Sequence, residues 1–446
     1  MHPAGGFFAL LALASAPSET RVLREESFSL AAAAEVVATL RGSCAGCDWG
    51  RPGREAAALE LRVDGRYSQH LLLVRGEPAS EYRVALGRLA AGAHRLRVAF
   101  DGAASAREIR SASVASVKIA PVADAGAAHA PILHARPDTL GRFSDVPLLM
   151  WYEREPTPRG ERLRYSVVFS NEDGGTPSDR LMATWGRLTD IEYVYAVERD
   201  REGRVIAEEY QAKDHKLLPF RGAHEAAHPL LFVVTDNNML AEQGESAMRF
   251  APAPIAFALD GVSREAVMDA HPWSYQASVR EARRERRVDE NARAGERKIP
   301  DPRRFATLEA CALTEDATLA FSVGVRSGRG ELAWFDSDHG LTSFRIARRA
   351  SEFPNGCFRG SAALAPGVKP EDIVALRFRA FTRLPGKDEA PLPRGSGRAR
   401  LVSVNTLFLL GDVDLPGPRL FSWRGDAPLQ PDGPPHELPV KPPSER

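Results

Sequence analysis

The chain has 446 residues, 43% hydrophobic and 26% charged, enough to bury large cores in roughly two to four domains. Lys plus Arg and Asp plus Glu each total 59. That balance provides no overall basic footprint, so bulk attraction to nucleic acid or to an anionic membrane is excluded as the organising feature.

In chain order, residues 1–16 read as a signal peptide. Phe7 to Ala16 is an unbroken run of apolar and small residues, too short to span a bilayer, and Ala14 and Ala16 form an A-x-A cleavage pattern. No later stretch approaches about 18 apolar residues, so no transmembrane segment is expected after it. A secreted, periplasmic or cell-envelope location follows. In that setting the four cysteines should pair, Cys44 with Cys47 as a loop staple and Cys311 with Cys357 as a sheet-to-sheet bridge.

The fold class expected is mainly β: two antiparallel, jelly-roll-like β-sandwiches flanking a β-rich central domain that ends in a long helix. Residues 22–121 carry the first sandwich. Leu59, Leu61 and Val63 alternate with polar residues up to an Asp64-Gly65 hairpin turn; Tyr82, Val84, Leu86 and then Leu96, Val98, Phe100 repeat the pattern. Ala123 to Ala130 reads as a linker. The central domain covers 131–299, with a helix from Trp273 to Ala294 whose arginines, Arg283, Arg284, Arg286 and Arg287, read as a solvated face. Residues 304–424 form the second sandwich, with Leu319, Phe321, Val323 and Val325 on one strand face and Leu376, Phe378 and Ala380 on another. The Pro-rich tail, 425–446, reads as disordered.

Three clusters carry candidate chemistry. His224, Glu225 and His228 spell H-E-x-x-H, which on a helix would bind Zn²⁺ with the glutamate as general base. Pro229 argues against that helix, because a residue preceding proline avoids the α region. The second cluster lies where the strand Ile191, Tyr193, Tyr195 commits one face to a core and leaves Asp190 and Glu192 together on the other. Two such carboxylates suit a hard cation, Ca²⁺ or Mg²⁺, and Asp173 and His215 would complete the metal set. Such a cleft would carry negative potential and favour a cationic partner. Around it Asn171, Glu172, Trp185 and Arg187 are candidate ligand-binding residues. The third cluster, Thr235 to Met239, offers Asp236 and Asn237 at a strand end, as a site or as a turn.

The segment from Leu163 to His215 resembles the central motif of Vps62-type and necrosis-inducing-protein-like domains. These have an apolar strand, a Gly-containing loop, an Asp-aromatic-Glu triplet and a later histidine. Gly186, Asp190, Glu192 and His215 match by position; Ile191 stands where those domains have tryptophan, and Leu188 and Thr189 where the necrosis-inducing proteins have a His-bearing loop. The resemblance implies a β-sandwich core with an acidic divalent-cation site for lipid or glycan headgroups. The leading expectation is therefore an exported binding protein for glycan or cell-envelope ligands, with a divalent-cation site in the central domain. The alternatives are a zinc metallohydrolase using His224, Glu225 and His228, and a structural envelope protein without catalysis.

Overall fold

A computed structural model describes residues 20–172, 174–326, 330–347, 356–386 and 389–440. Residues 1–16, read from the sequence as a signal peptide, and Asp173 lie outside the described residues. The fold is mainly β.

The first region contains β1 (Arg21–Leu30), β2 (Ala34–Ser43), β3 (Ala58–Val63), β4 (Arg66–Leu72), β5 (Ser80–Leu89), β6 (Gly92–Asp101) and β7 (Ser113–Val122). They form two facing sheets, β1-β6-β3-β4 and β5-β2-β7. The alternating residues read from the sequence, Leu59, Leu61, Leu96, Val98 and Phe100 among them, fill the shared core. At Asp64 and Gly65 both φ angles are positive, as a two-residue hairpin turn requires.

The linker is partly helical: α1 (Ala125–Ala128) is capped by the Asp124 side chain. Next come β8 (Ile132–His134), α2 (Thr139–Arg142), β9 (Pro147–Thr157), β10 (Gly160–Phe169), α3 (Ser178–Trp185), β11 (Asp190–Asp200), β12 (Val205–Ala212) and β13 (Lys216–Pro219). Short strands follow, β14 (His224–Glu225), β15 (His228–Val233), β16 (Leu240–Ala241), β17 (Arg249–Phe250) and β18 (Ile255–Ala256), and then two helices, α4 (Ala266–Ala270) and α5 (Trp273–Arg284). The strands build one curved sheet, β17-β8-β15-β16-β12-β11-β10-β9-β18. One face carries Leu163, Tyr165, Val167 and Phe169. The other carries Trp151, Val168 and Ile191 and packs on α4 and α5 through Val267, Met268, Tyr275 and Val279.

The expected long helix is shorter than Trp273 to Ala294. It stops at Arg284, and Arg286 takes a positive φ while the Arg287 N–H returns to the Ala282 carbonyl. Its arginines are not a solvated face. Arg284 stacks on Trp49 at 4.9 Å and donates to the Trp49 carbonyl, and Arg283 pairs with Asp414 at 2.5 Å. The helix is a strut among all three regions. The Cys44–Cys47 disulfide closes the loop that leads into Trp49, whose Nε1 donates to Glu281 at 2.9 Å.

The last region contains β19 (Phe305–Glu315), β20 (Ala317–Val325), β21 (Ala333–Asp336), β22 (Ile346–Ala347), β23 (Cys357–Ala363), β24 (Ile373–Thr382), β25 (Arg398–Phe408), β26 (Phe421–Leu429) and β27 (His436–Pro439). Sheets β23-β19-β25-β26 and β21-β20-β24-β27 face each other over Leu319, Phe321, Val323, Leu376 and Phe378. Two expectations change here. Cys311 and Cys357 are bonded, but they oppose each other on adjacent strands of one sheet rather than bridging two sheets. The tail is structured up to Val440: β26 runs past Gly425, and β27 pairs with β24 and buries Leu438 and Val440. Among the described residues no helix is long and apolar enough to cross a membrane.

Candidate functional site

The H-E-x-x-H motif does not form a helical metal site. His224 and Glu225 form β14, His228 begins β15, and Ala226 takes φ 56° in the turn between them, so the motif is a hairpin. The two imidazoles have separate partners. His224 Nε2 meets Glu208 at 2.8 Å. His228 is 2% exposed, bonded through Nδ1 to the Ala130 carbonyl at 2.9 Å and through Nε2 to Glu35 of the first sandwich at 3.0 Å. Glu225 pairs with Arg249.

The second cluster converges. Asp190 opposes Phe169 and Glu192 opposes Val167, so both carboxylates continue the face that carries the Leu163–Phe169 core. A bulge shifts the register between Tyr165 and Ser166, opposite Tyr195 and Tyr193. It returns Tyr195 to the face of Asp190 and Glu192, whereas strict alternation would place it with Ile191.

These carboxylates lie in a cavity of about 350 Å³, whose lining includes Glu172, Trp185, Arg187, Asn237 and His215 as well as Arg180, Gln211 and Arg264. Seven of the residues singled out from the sequence therefore share one pocket: Glu172, Trp185, Arg187, Asp190, Glu192, His215 and Asn237. Asn171 is turned away, its amide donating to Glu285 at 2.8 Å and its oxygen accepting from Arg287 at 2.9 Å. Asp236 is paired with Arg136.

Local chemistry explains the placement. The helix α3 was not expected from the sequence, although Ser178-Asp179 before Leu181, Met182 and Trp185 and the following Gly186 are ordinary start and stop signals. Gly186 has φ 60°, and its N–H closes on the Met182 carbonyl. A Cβ there would meet Arg359 Cγ at 2.8 Å, so only glycine lets the chain turn from Trp185 to Arg187 and into β11. At Gly174 the constraint is close approach alone, since a Cβ would come within 2.5 Å of Asp236 Cβ. The Thr235–Met239 segment is a turn, with Asn238 N–H bonded to the Thr235 carbonyl and Asn238 at φ 56°. It delivers the Asn238 amide to Asp190 at 2.9 Å.

Burial governs the electrostatics. Asp190 is 2% exposed and its pKa is raised by desolvation, against the pull of Arg187. Burial, reinforced by the charge on Asp190, raises Glu192 well above the carboxylate range. The same two causes bring Glu172 to about 7, although its carboxylate accepts the Thr176 N–H at 3.0 Å. Gln211 donates its amide to Glu192, and His215 Nδ1 stands 3.9 Å from it.

Cationic side chains share the cleft with its carboxylates. Arg180, Arg187 and Arg264 line the same cavity, and its acids are shifted toward their neutral forms. Among the described residues no three His, Cys, Asp or Glu side chains are arranged to hold a metal ion. Asp190 accepts the Asn238 amide and Glu192 the Gln211 amide, and Asp173, the further carboxylate expected in the metal set, lies outside the described residues. Arg180, Arg264, Gln211 and Thr176 were not singled out from the sequence. Arg264 lies in the turn just before α4, and no local pattern marks it as pocket-lining.

Comparison with known proteins adds little. No family model matches the chain, and no curated protein matches it. Among solved structures, a family 35 carbohydrate-binding module from an environmental isolate is similar at 19% identity and TM-score 0.17, over 24% of this chain and 75% of that one. What the structure itself defines is a mainly β, multi-sheet protein with two disulfides and a partly open polar pocket.

Proposed function

We propose that this chain is an exported glycan-binding protein whose ligand site is the pocket between Glu172, Trp185, Asp190, Glu192 and Arg264. The observation that carries the reading is the composition of that pocket. One half-buried indole, Trp185, stands beside amide, acid and guanidinium groups at several depths, Asn237, Gln211, Glu172 and Arg264. An aromatic wall beside fixed donors and acceptors suits a ring with apolar C–H faces and equatorial hydroxyls. The cavity volume is within the range of small-ligand sites. Two disulfides and the N-terminal apolar run support export.

The test is calorimetric binding of the purified chain to a panel of oligosaccharides, with Trp185→Ala and Asn237→Ala variants. Trp185→Ala should weaken the best ligand at least tenfold, about 1.4 kcal/mol. Asn237→Ala, which alters only a side chain at the rim, should weaken it less. No binding across the panel, or unchanged affinity in both variants, would remove the proposal.

One observation favours a second reading, glycan hydrolysis. Glu172 sits near pH 7 beside Asp190, as a general acid paired with a carboxylate does. Glu172→Gln separates the two readings. A binding site releases no reducing ends in either the parent or the variant, whereas a hydrolase releases them in the parent and loses that release in Glu172→Gln.

A further inference from the structure

The pocket contains a buried cation whose position the rest of the fold does not explain. Arg264 is 6% exposed and lines the cavity, and its Nε is buried without a hydrogen-bond partner. Its carbonyl accepts the Val267 N–H at 3.3 Å, but among the described residues the Arg264 side chain makes no hydrogen bond and no ion pair within 4.0 Å. Its neighbours in sequence are tied down: Ser263 donates to Glu309 at 2.6 Å, and Glu265 accepts from Arg187 at 3.1 Å. The backbone at 264 is thus held from both sides and the guanidinium has little freedom to leave. A buried unpaired charge is costly, and folds keep one where a partner arrives from outside.

Asp190 and Glu192 feel the charge of Arg264 through space, but neither is hydrogen-bonded to it. Asp190 takes the Asn238 amide, Glu192 the Gln211 amide, and Glu172 the Thr176 N–H. Arg187 is engaged by Glu265 and the Thr189 carbonyl. A second guanidinium repeats the situation of Arg264. Arg180 stands 5.8 Å from the centre of the Trp185 ring, its Nε is also buried and unpartnered, and it too lines the cavity.

We infer that the glycan bound here is anionic, with a carboxylate or sulfate ester on the sugar accepted by Arg264 and assisted by Arg180. The inference rests on the glycan-binding reading and names its ligand class. An oxyanion matches the guanidinium fork and completes both donor sets at once. The carboxylic acids then serve as hydrogen-bond donors and acceptors to hydroxyls. Their shift toward the neutral form removes the repulsion an anion would otherwise meet.

The experiment compares three ligands on the intact chain: a neutral galactan oligosaccharide, an oligogalacturonate of equal length and a sulfated galactan oligosaccharide. At least one acidic ligand should bind tenfold or more tightly than the neutral one, and its affinity should fall as salt rises. A preference for the oligogalacturonate identifies a carboxylate, and a preference for the sulfated ligand identifies a sulfate ester. Arg264→Met should abolish the preference for the acidic ligand, and its melting temperature should not fall, since the side chain it removes makes no hydrogen bond or ion pair within 4.0 Å among the described residues. Arg180→Met is the second variant and should reduce the preference. Equal binding of neutral and acidic ligands, unaltered in Arg264→Met, overturns this inference and leaves glycan binding standing. Absence of binding to all three, and to the wider neutral panel, overturns both.

Discussion

Replacing His228 with alanine should loosen the first sandwich from the central sheet, and the structure sets the size of the effect. The imidazole makes two buried hydrogen bonds, to the Ala130 carbonyl at 2.9 Å and to Glu35 at 3.0 Å. The first is a neutral-acceptor bond worth about 1 kcal/mol, and the second, to a charged acceptor, about 2–3 kcal/mol. Glu35 would remain buried with Arg88 Nη1 at 3.7 Å as its remaining ion-pair partner among the described residues. The expected loss is therefore about 3–4 kcal/mol. His224→Ala is the control. That side chain is part-exposed and paired with Glu208, so its loss should stay within about 1 kcal/mol. The same comparison separates the interface role from a zincin role, in which both histidines would matter equally.

Urea unfolding of the three proteins, followed through the first transition, measures the difference. The pH dependence has a definite sign. Burial opposes protonation of His228, but Glu35 and the Ala130 carbonyl outweigh it and the pKa is raised above 6.5. The stabilisation is then complete below pH 6.5 and is lost as pH rises through the raised value. The gap between parent and His228→Ala should accordingly be larger at pH 6 than at pH 9. A loss below about 1 kcal/mol for His228→Ala, or equal losses for the two histidines, would refute the argument.

Arg359→Ala should be the most damaging single change at the other interface. The guanidinium is wholly buried and binds Asp269 at 2.6 Å and Glu309 at 2.7 Å, so about 3–5 kcal/mol should be lost, read as a fall in the urea midpoint. Glu281 should give a stability that declines with pH. Burial lifts it to about 7 despite Arg284 at 3.5 Å, so the stabilisation present below pH 4.5 is lost through about pH 7. Glu281→Gln should flatten that part of the pH profile, by up to about 3 kcal/mol, and an unchanged profile would contradict the assignment. Calcium should leave the melting temperature of the parent unchanged. A rise that disappears in the Asp190→Ala, Glu192→Ala double variant would support the acidic cation site expected from the sequence.

Much of the strand arrangement was legible because half-buried strands alternate. Leu59, Leu61, Phe321 and Phe378 are core residues for the reason their spacing suggested. Asp190 and Glu192 share a face for the same reason. Tyr195 was misplaced because a bulge adds one residue on β11, and nothing in the local pattern marks where a bulge falls. His228 was misread because its deciding partner, Glu35, is 193 residues away, and a short motif cannot report long-range pairing. The tail after Gly425 was read as loose from its prolines, yet β27 lies at the edge of its sheet, where proline is tolerated. Arg264 was invisible for a different reason. Its significance is the lack of a partner, which depends on how Asn238, Gln211 and Thr176 satisfy the acids around it.

The arrangement also explains why a pocket in the central sheet needs the two flanking regions. Helix α3 carries Arg180 and Trp185, and its carbonyl at Met182 accepts the Ser361 hydroxyl of the last sandwich at 2.6 Å. Gly186, at the end of that helix, packs on Arg359, which is itself fastened to Asp269 of α4. On the other side, Asn171 and the Glu172 carbonyl are bonded to Arg287 just beyond α5, while Glu281 of α5 receives the Trp49 indole of the first sandwich. The pocket wall is thus set by contacts from both ends of the chain. Rigid support of this kind suits a site that holds a guanidinium unpaired, because a mobile wall would let Arg264 collapse onto Asp190 or Glu192 and fill the place reserved for a ligand. It follows that Arg359→Ala should weaken ligand binding as well as stability, although Arg359 does not line the pocket. Titrating that variant at a temperature where it remains folded tests the coupling, and full retention of affinity would show that the wall holds its shape without the last sandwich.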